Sequence, residues 1–153
     1  MNINTISTID LNELGRWFYE SCFFESFWGT ISWSSKMKGI AGNCKSNGNI
    51  TINKNYYLKY GIEDTLLVLK HELAHLYCFK KIGTHNDTDI LFVENLNKIG
   101  GILKAKKIPN NFYIYECPTC KKRWFFEEYM EEKKFLCKNC QQIINFKEKR
   151  KLY

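Results

Sequence analysis

His71-Glu72-Leu73-Ala74-His75 lies inside a stretch whose apolar residues Leu66, Leu69, Leu73 and Leu76 recur at helical spacing. The spacing predicts a helix from about residues 62–64 to about residue 81, with Glu63 and Asp64 at the positive end of its dipole and Gly83 closing it. Helical positions four apart share a face, so His71 and His75 can aim imidazole nitrogens at one metal ion. Glu72 stands one step round the helix, beside such an ion rather than on it. Zinc lowers the pKa of bound water to about 7, and a nearby carboxylate can take the proton during attack on a peptide carbonyl. The chain has three histidines and two of them are in this pentapeptide, which leaves little room for coincidence. His71 and His75 therefore read as zinc ligands and Glu72 as the general base of a zinc peptidase.

Working outward, Asp10 and Glu13 have capping-box spacing ahead of an apolar stripe of Leu11, Leu14, Trp17 and Phe18 that reaches Cys22, and Gly29 ends this first helical unit. Short alternating runs follow at residues 30–33, 40–44 and 49–53, with Ser46-Asn47-Gly48-Asn49 as a hairpin turn between the last two. They predict a small antiparallel sheet. A further helix is expected from Asp87 to Ile99, capped by Asn86 or Asp87 and terminated by Gly100-Gly101. The basic segment 104–111, which holds Pro109, reads as a linker, so the expected division is 1–103, a linker 104–111, and 112–153. The fold class expected is α+β: helices packed on a short antiparallel sheet, then a small β unit.

A catalytic zinc takes three protein ligands and leaves one position open. A histidine six residues beyond His75 would make the metzincin pattern, but Lys81 is there. Glu94, on the next helix, would make a thermolysin-like site. His85, the remaining histidine, is the alternative, and it is preferred because imidazole suits zinc.

Cys117-Pro118-Thr119-Cys120 and Cys137-Lys138-Asn139-Cys140 are two CxxC loops with 16 residues between them. Each loop offers two thiolates, and together they complete a closed tetrahedral zinc site, with strands at 113–116, 123–126, 134–136 and 143–146 forming a zinc ribbon. Seven cysteines cannot all pair internally, and Cys22, Cys44 and Cys78 read as small buried hydrophobes.

The formal charge of +7 is uneven. Residues 1–103 hold 10 basic and 10 acidic side chains, and residues 104–153 hold 13 basic and 6 acidic. Lys121, Lys122 and Arg123 precede Trp124 among further aromatic residues, the pattern of a surface that tracks phosphates and stacks bases, which implies DNA and preferentially single strands. Trp124 is the first choice for an exposed stacking ring. The start MNINTISTID has neither a basic head nor an apolar core segment, so no signal peptide is expected. No apolar run is long enough for a bilayer. A cytoplasmic protein without a membrane partner, monomeric, is the expectation.

The chain resembles the SprT-like zinc peptidases, which include the Spartan proteases that degrade proteins crosslinked to DNA. The resemblance runs over about residues 11–145: Trp33-Ser34-Ser35-Lys36-Met37 leading to Gly42-Asn43-Cys44, the strand 50–53, Asp64-Thr65-Leu66-Leu67 ahead of the pentapeptide, then His85 and a helix containing Phe92. It implies a third histidine ligand in the loop, which supports His85, and a protein substrate held on DNA. Asn86 stands where the family usually carries glycine, and asparagine is the next most tolerant of left-handed backbone. The rival reading is a non-proteolytic nucleic-acid-binding or transcription-associated protein that uses zinc only to hold its fold.

Overall fold

The computed structural model describes residues 8–83, 86–108, 111–131 and 135–151, in two compact units, Met1–Lys107 and Ile108–Tyr153. The first unit is built from α1 (Thr8–Phe23), β1 (Thr30–Ser34), β2 (Gly42–Cys44), β3 (Asn49–Asn53), α2 (Lys54–Ile82) and α3 (Ile90–Ile99). The second holds β4 (Asn111–Glu116), β5 (Arg123–Phe126) and β6 (Asn145–Lys151). The class is α+β, as expected.

The sheet of the first unit is mixed, not antiparallel. Its order is β1-β3-β2, with β2 antiparallel to β3 and β1 parallel to it. The hairpin forms as predicted: Gly48 N–H donates to Lys45 O at 3.0 Å and Gly48 takes φ 89. This is the left-handed step that a glycine supplies at a hairpin bulge. A parallel pair needs a crossover of about a dozen residues or more. Residues 35–48, β2 included, provide it. The most apolar strand, β3, takes the centre, with Ile50 and Ile52 buried. The outer edge of β1 is covered by α1, where Asn12 accepts from Ile31 N–H and donates back to Ile31 O. A side-chain amide thus pairs the edge that another chain would otherwise extend.

The buried face of α1 is Leu11, Gly15, Tyr19 and Phe23, a run at four-residue spacing. Leu14 and Trp17, expected on that face, are exposed. The cause is Gly15: a Cβ there would sit 2.1 Å from the Ile31 side chain, so the helix turns its smallest residue toward β1. Asp10 lies inside the first turn of α1 rather than at its cap.

The α2 helix starts earlier than the apolar spacing indicated. Asn53 caps it, its side chain accepting from Asn55 N–H, and Gly61 breaks it at φ 83 before the long segment resumes. That segment ends as predicted at Gly83, in the left-handed region with its N–H on Phe79 O. The cap of α3 is Asp89, not Asn86 or Asp87, and Gly100 terminates it at φ 73. Residues 104–107, read as the start of a linker, lie along α2. Lys106 N–H donates to the Tyr56 hydroxyl, its ammonium pairs with Asp64 at 2.9 Å, and Tyr60 donates to Lys107 O. Among the described residues, no helix is long and apolar enough to cross a membrane.

In the second unit β4 is central, antiparallel to both β5 and β6. Residues 136 and 143 meet in a single bridge rather than strands, and Lys134 lies outside the described residues. The core of this unit is Tyr115, Cys117, Cys137 and Ile144, with Trp124, Phe126 and Phe146 packed against it.

Candidate functional site

Two sets of metal-ligating side chains converge among the described residues, one in each unit: His71, His75 and Asp87, and the four cysteines of the CxxC loops.

On α2 the two imidazoles face one point, with Nε2 of His71 and Nε2 of His75 3.0 Å apart. Nitrogen ligands sit about 2.0–2.1 Å from zinc, which puts two of them about 3.3 Å apart around a tetrahedral ion. The pair fits that requirement. His71 is oriented by tertiary structure: its Nδ1–H donates to Ile102 O at 2.7 Å, which leaves Nε2 as a bare lone pair. Gly101 makes this approach possible. A Cβ at 101 would lie 3.1 Å from the His71 backbone nitrogen and 2.5 Å from Leu96, so only glycine lets the chain pass this close to α2. Phe92 fixes the other ring, stacked on His75 at 4.1 Å between centroids and edge-on to His71 at 5.1 Å.

Glu72 is buried, its carboxylate lying against β2. Burial, and secondarily the charge of Asp87, pushes its carboxyl up to about 8. A dication in the cleft would oppose that shift, since it favours the charged form. A Cβ on Gly42 would stand 2.9 Å from both Cγ and Oε1 of Glu72, so the strand leaves a slot for this one side chain. Gly42→Ala is expected to cost about 1–3 kcal/mol by overpacking. Urea unfolding would check it, and wild-type stability in that variant would mean the slot is looser than described.

His71, Glu72 and Asp87 line a cleft of about 380 Å³. One wall is residues 39–42 and the other is residues 102–107. Asn53 holds the first wall in place: its side chain donates to Ile40 O at 2.8 Å and to Met37 O, while its N–H donates to Ala41 O. Val68 also faces this space, and Ile40 and Leu103 give each wall an exposed apolar residue.

His85 lies outside the described residues. Glu94 is exposed on α3 and is not in the convergent group. Asp87 was missed as a site residue because it read as a helix cap. Residues 86–89 form a turn, with Asp89 N–H on Asn86 O at 2.9 Å and Asn86 Oδ1 accepting from Thr88. The only advance signal for Asp87 was its place just beyond a histidine-bearing loop. Gly42, Gly101 and Asn53 had none.

The four cysteines sit on two turns of the same design. Lys121 N–H donates to Cys117 O and Cys117 N–H to Lys122 O, and Gln141 and Cys137 repeat the pattern with Gln142. Lys121 at φ 60 and Gln141 at φ 55 take the same left-handed step. Cys120 Sγ and Cys137 Sγ are 3.6 Å apart. Zinc–sulfur bonds of about 2.3 Å put tetrahedral sulfurs about 3.8 Å apart, so the set can hold a structural zinc. The Cys120 N–H, followed by that of Thr119, holds the Cys117 thiol down at about 7. Cys140, hydrogen-bonded to Cys120 and crowded by the same sulfurs, is pushed up to about 12. Four adjacent thiols ionise together only around a cation.

Trp124 is half-buried against the ribbon core, with Lys122 Nζ 5.7 Å over its ring, and is not the exposed ring expected. The alternation of β5 turns it to the side of Tyr115, its register partner. Among the described residues of this unit the exposed ring is Tyr129. Lys121, Lys122 and Arg123 are exposed, and Arg123 pairs with Glu116 at 2.9 Å. On β6 the residues facing solvent are Asn145, Lys147, Lys149 and Lys151.

The profile of the SprT-like family matches residues 11–108. The chain is similar to the "Protein SprT-like" of Bacillus velezensis, 27% identical over 144 residues that cover 89% of each chain. It is 28% identical to the protein of that name from Streptococcus thermophilus over 120 residues, 74% of this chain and 81% of the relative. With the Streptococcus pneumoniae protein it shares 25% over 142 residues, 88% of each. No solved structure gives a significant match.

Proposed function

The chain belongs to the SprT-like family, and we propose that it is a zinc-dependent endopeptidase acting on proteins associated with or crosslinked to DNA. The observation that carries this is the meeting of the two Nε2 atoms, 3.0 Å apart, with the buried Glu72 in the same cleft. His71, His75 and, from the loop, His85 would hold the ion. When bound, zinc supplies Lewis acidity, acidifying water and polarising a carbonyl. Glu72 takes the proton of the attacking water at a carboxylate oxygen and delivers it to the departing amine nitrogen. Its burial favours that second state, since the protonated acid is the form a dry slot prefers. Ile102 O keeps the His71 proton on Nδ1, so Nε2 stays a ligand throughout. The walls at 39–42 and 102–107 leave room for an extended segment across α2.

Incubating purified protein with a DNA-bound protein substrate, with and without zinc and with and without DNA, tests the reading. Metal-dependent cleavage is expected. Intact substrate under every condition, alongside tight DNA binding, would favour the non-proteolytic alternative.

The ribbon is the proposed nucleic-acid surface, preferring single strands, because the charge excess lies after residue 103. Lys121→Gln with Lys122→Gln repeats the residues that the second knuckle carries as Gln141 and Gln142, so the fold should tolerate both. For every phosphate that the variant no longer neutralises, the slope of log affinity against log salt should become shallower by about 0.7 on a single strand. Fluorescence anisotropy at several salt concentrations measures it, and an unaltered slope would remove these lysines from the interface.

A further inference from the structure

We propose that Asp87 is itself a ligand of the ion held by His71 and His75. The inference rests on the zinc-site reading above and adds a fourth protein ligand to it, an exposed carboxylate that the attacking water would have to displace or join.

Asp87 Oδ1 stands 3.1 Å from His75 Nε2 and 3.8 Å from His71 Nε2, and the two nitrogens are 3.0 Å apart. Bonds of about 2.0–2.2 Å to a tetrahedral zinc set its ligand atoms about 3.2–3.6 Å from one another. The observed triangle brackets that size. His71 turns Nε2 inward, because Nδ1 faces Ile102 O, and Asp87 turns a carboxylate oxygen to the same point.

A simpler role is available: Asp87 could accept a proton from His75 Nε2 and merely orient that ring. The backbone favours coordination, because it leaves Asp87 available. The turn at 86–89 is closed by Asn86, Thr88 and Asp89, and Asp89 occupies the cap of α3, so the Asp87 side chain has no capping duty. It is a carboxylate at the corner of a tight turn, and carboxylate oxygen is an ordinary zinc ligand at the same bond length as imidazole.

The test uses the full chain loaded with one equivalent of zinc, which the thiolates take first as the softer ligands, and then titrated with Co(II). Its visible bands report the number and kind of ligands at the histidine site. Asp87→Ala is expected to weaken Co(II) binding by about 10²-fold or more, since loss of an outer partner alone costs about 10–100-fold, and to alter the bands. Asp87→Glu should recover part of both. Asp87 is more than half exposed, so the metal-free variants should melt with the wild type. Wild-type affinity and bands in Asp87→Ala would overturn the inference. A weaker affinity with unchanged bands would overturn it too, leaving Asp87 as a partner that orients His75. If His71→Ala abolishes uptake and Asp87→Ala does not, this inference falls alone. If the wild type takes no Co(II) after the first zinc, the zinc-site reading falls with it.

Discussion

Glu72→Gln is expected to leave the zinc content of the protein unchanged while lowering cleavage of a protein substrate by about 10²-fold or more, the range a positioned general base contributes. Glutamine has the length of glutamate, so it fits the slot that Gly42 leaves open. It cannot accept a proton. The Glu72 carboxylate is not among the three converging ligand atoms, which come from His71, His75 and Asp87, so metal binding should survive its loss. The fold should survive as well. The native carboxyl is already pushed up to about 8 by burial, and a neutral side chain is what that environment favours. Metal analysis and cleavage assays on one preparation separate the outcomes. Undiminished cleavage would show that another group is the base or that the activity belongs to a contaminant. Loss of zinc would make Glu72 a ligand.

His85→Ala is expected to remove about one zinc per chain and with it all cleavage, whereas Glu94→Ala should leave both near wild type. Glu94 is exposed on α3 and outside the convergent group, so it has nothing to lose at the site. His85 stands two positions before Asp87, whose carboxylate meets the two imidazoles. A catalytic zinc deprived of one of its imidazole ligands is held too weakly to persist through purification. The thiolate zinc serves as an internal standard, so the expected ratio falls from two ions per chain to one. Wild-type zinc and activity in His85→Ala, with loss of both in Glu94→Ala, would make the site thermolysin-like. A retained ion in both variants would mean that His71, His75 and Asp87 suffice to hold it.

What could be read from the sequence is what short-range geometry dictates. His71 and His75 share a face because a helix returns every 3.6 residues, whatever surrounds it. Gly83 and Gly100 end their helices because the left-handed step there suits a residue without Cβ. Each CxxC loop is a turn whose hydrogen bonds close within six residues, so four cysteines in two such loops already describe a site. The 45–48 turn fixed its hairpin for the same local reason.

Tertiary structure decided the rest, because those features depend on partners distant in the chain. The strand alternation marked β1 without naming its neighbour, and its parallel pairing with β3 follows from the crossover and from α1 covering the other edge. Gly15 lies outside the apolar stripe read from the sequence for α1, yet the approach of Ile31 put it on the buried face. The carbonyl that sets the His71 tautomer comes from 31 residues away and arrives only because Gly101 packs on α2. Trp124 read as exposed from its basic neighbours, but strand alternation turned its ring toward the ribbon core. Asp87 had the sequence look of a helix cap, and where the turn before α3 placed its carboxylate was settled by packing. Local geometry therefore specified which residues of α2 and of the CxxC loops could bind metal. The surroundings of the histidine pair, its buried base and its second carboxylate came from long-range packing that no spacing rule encodes.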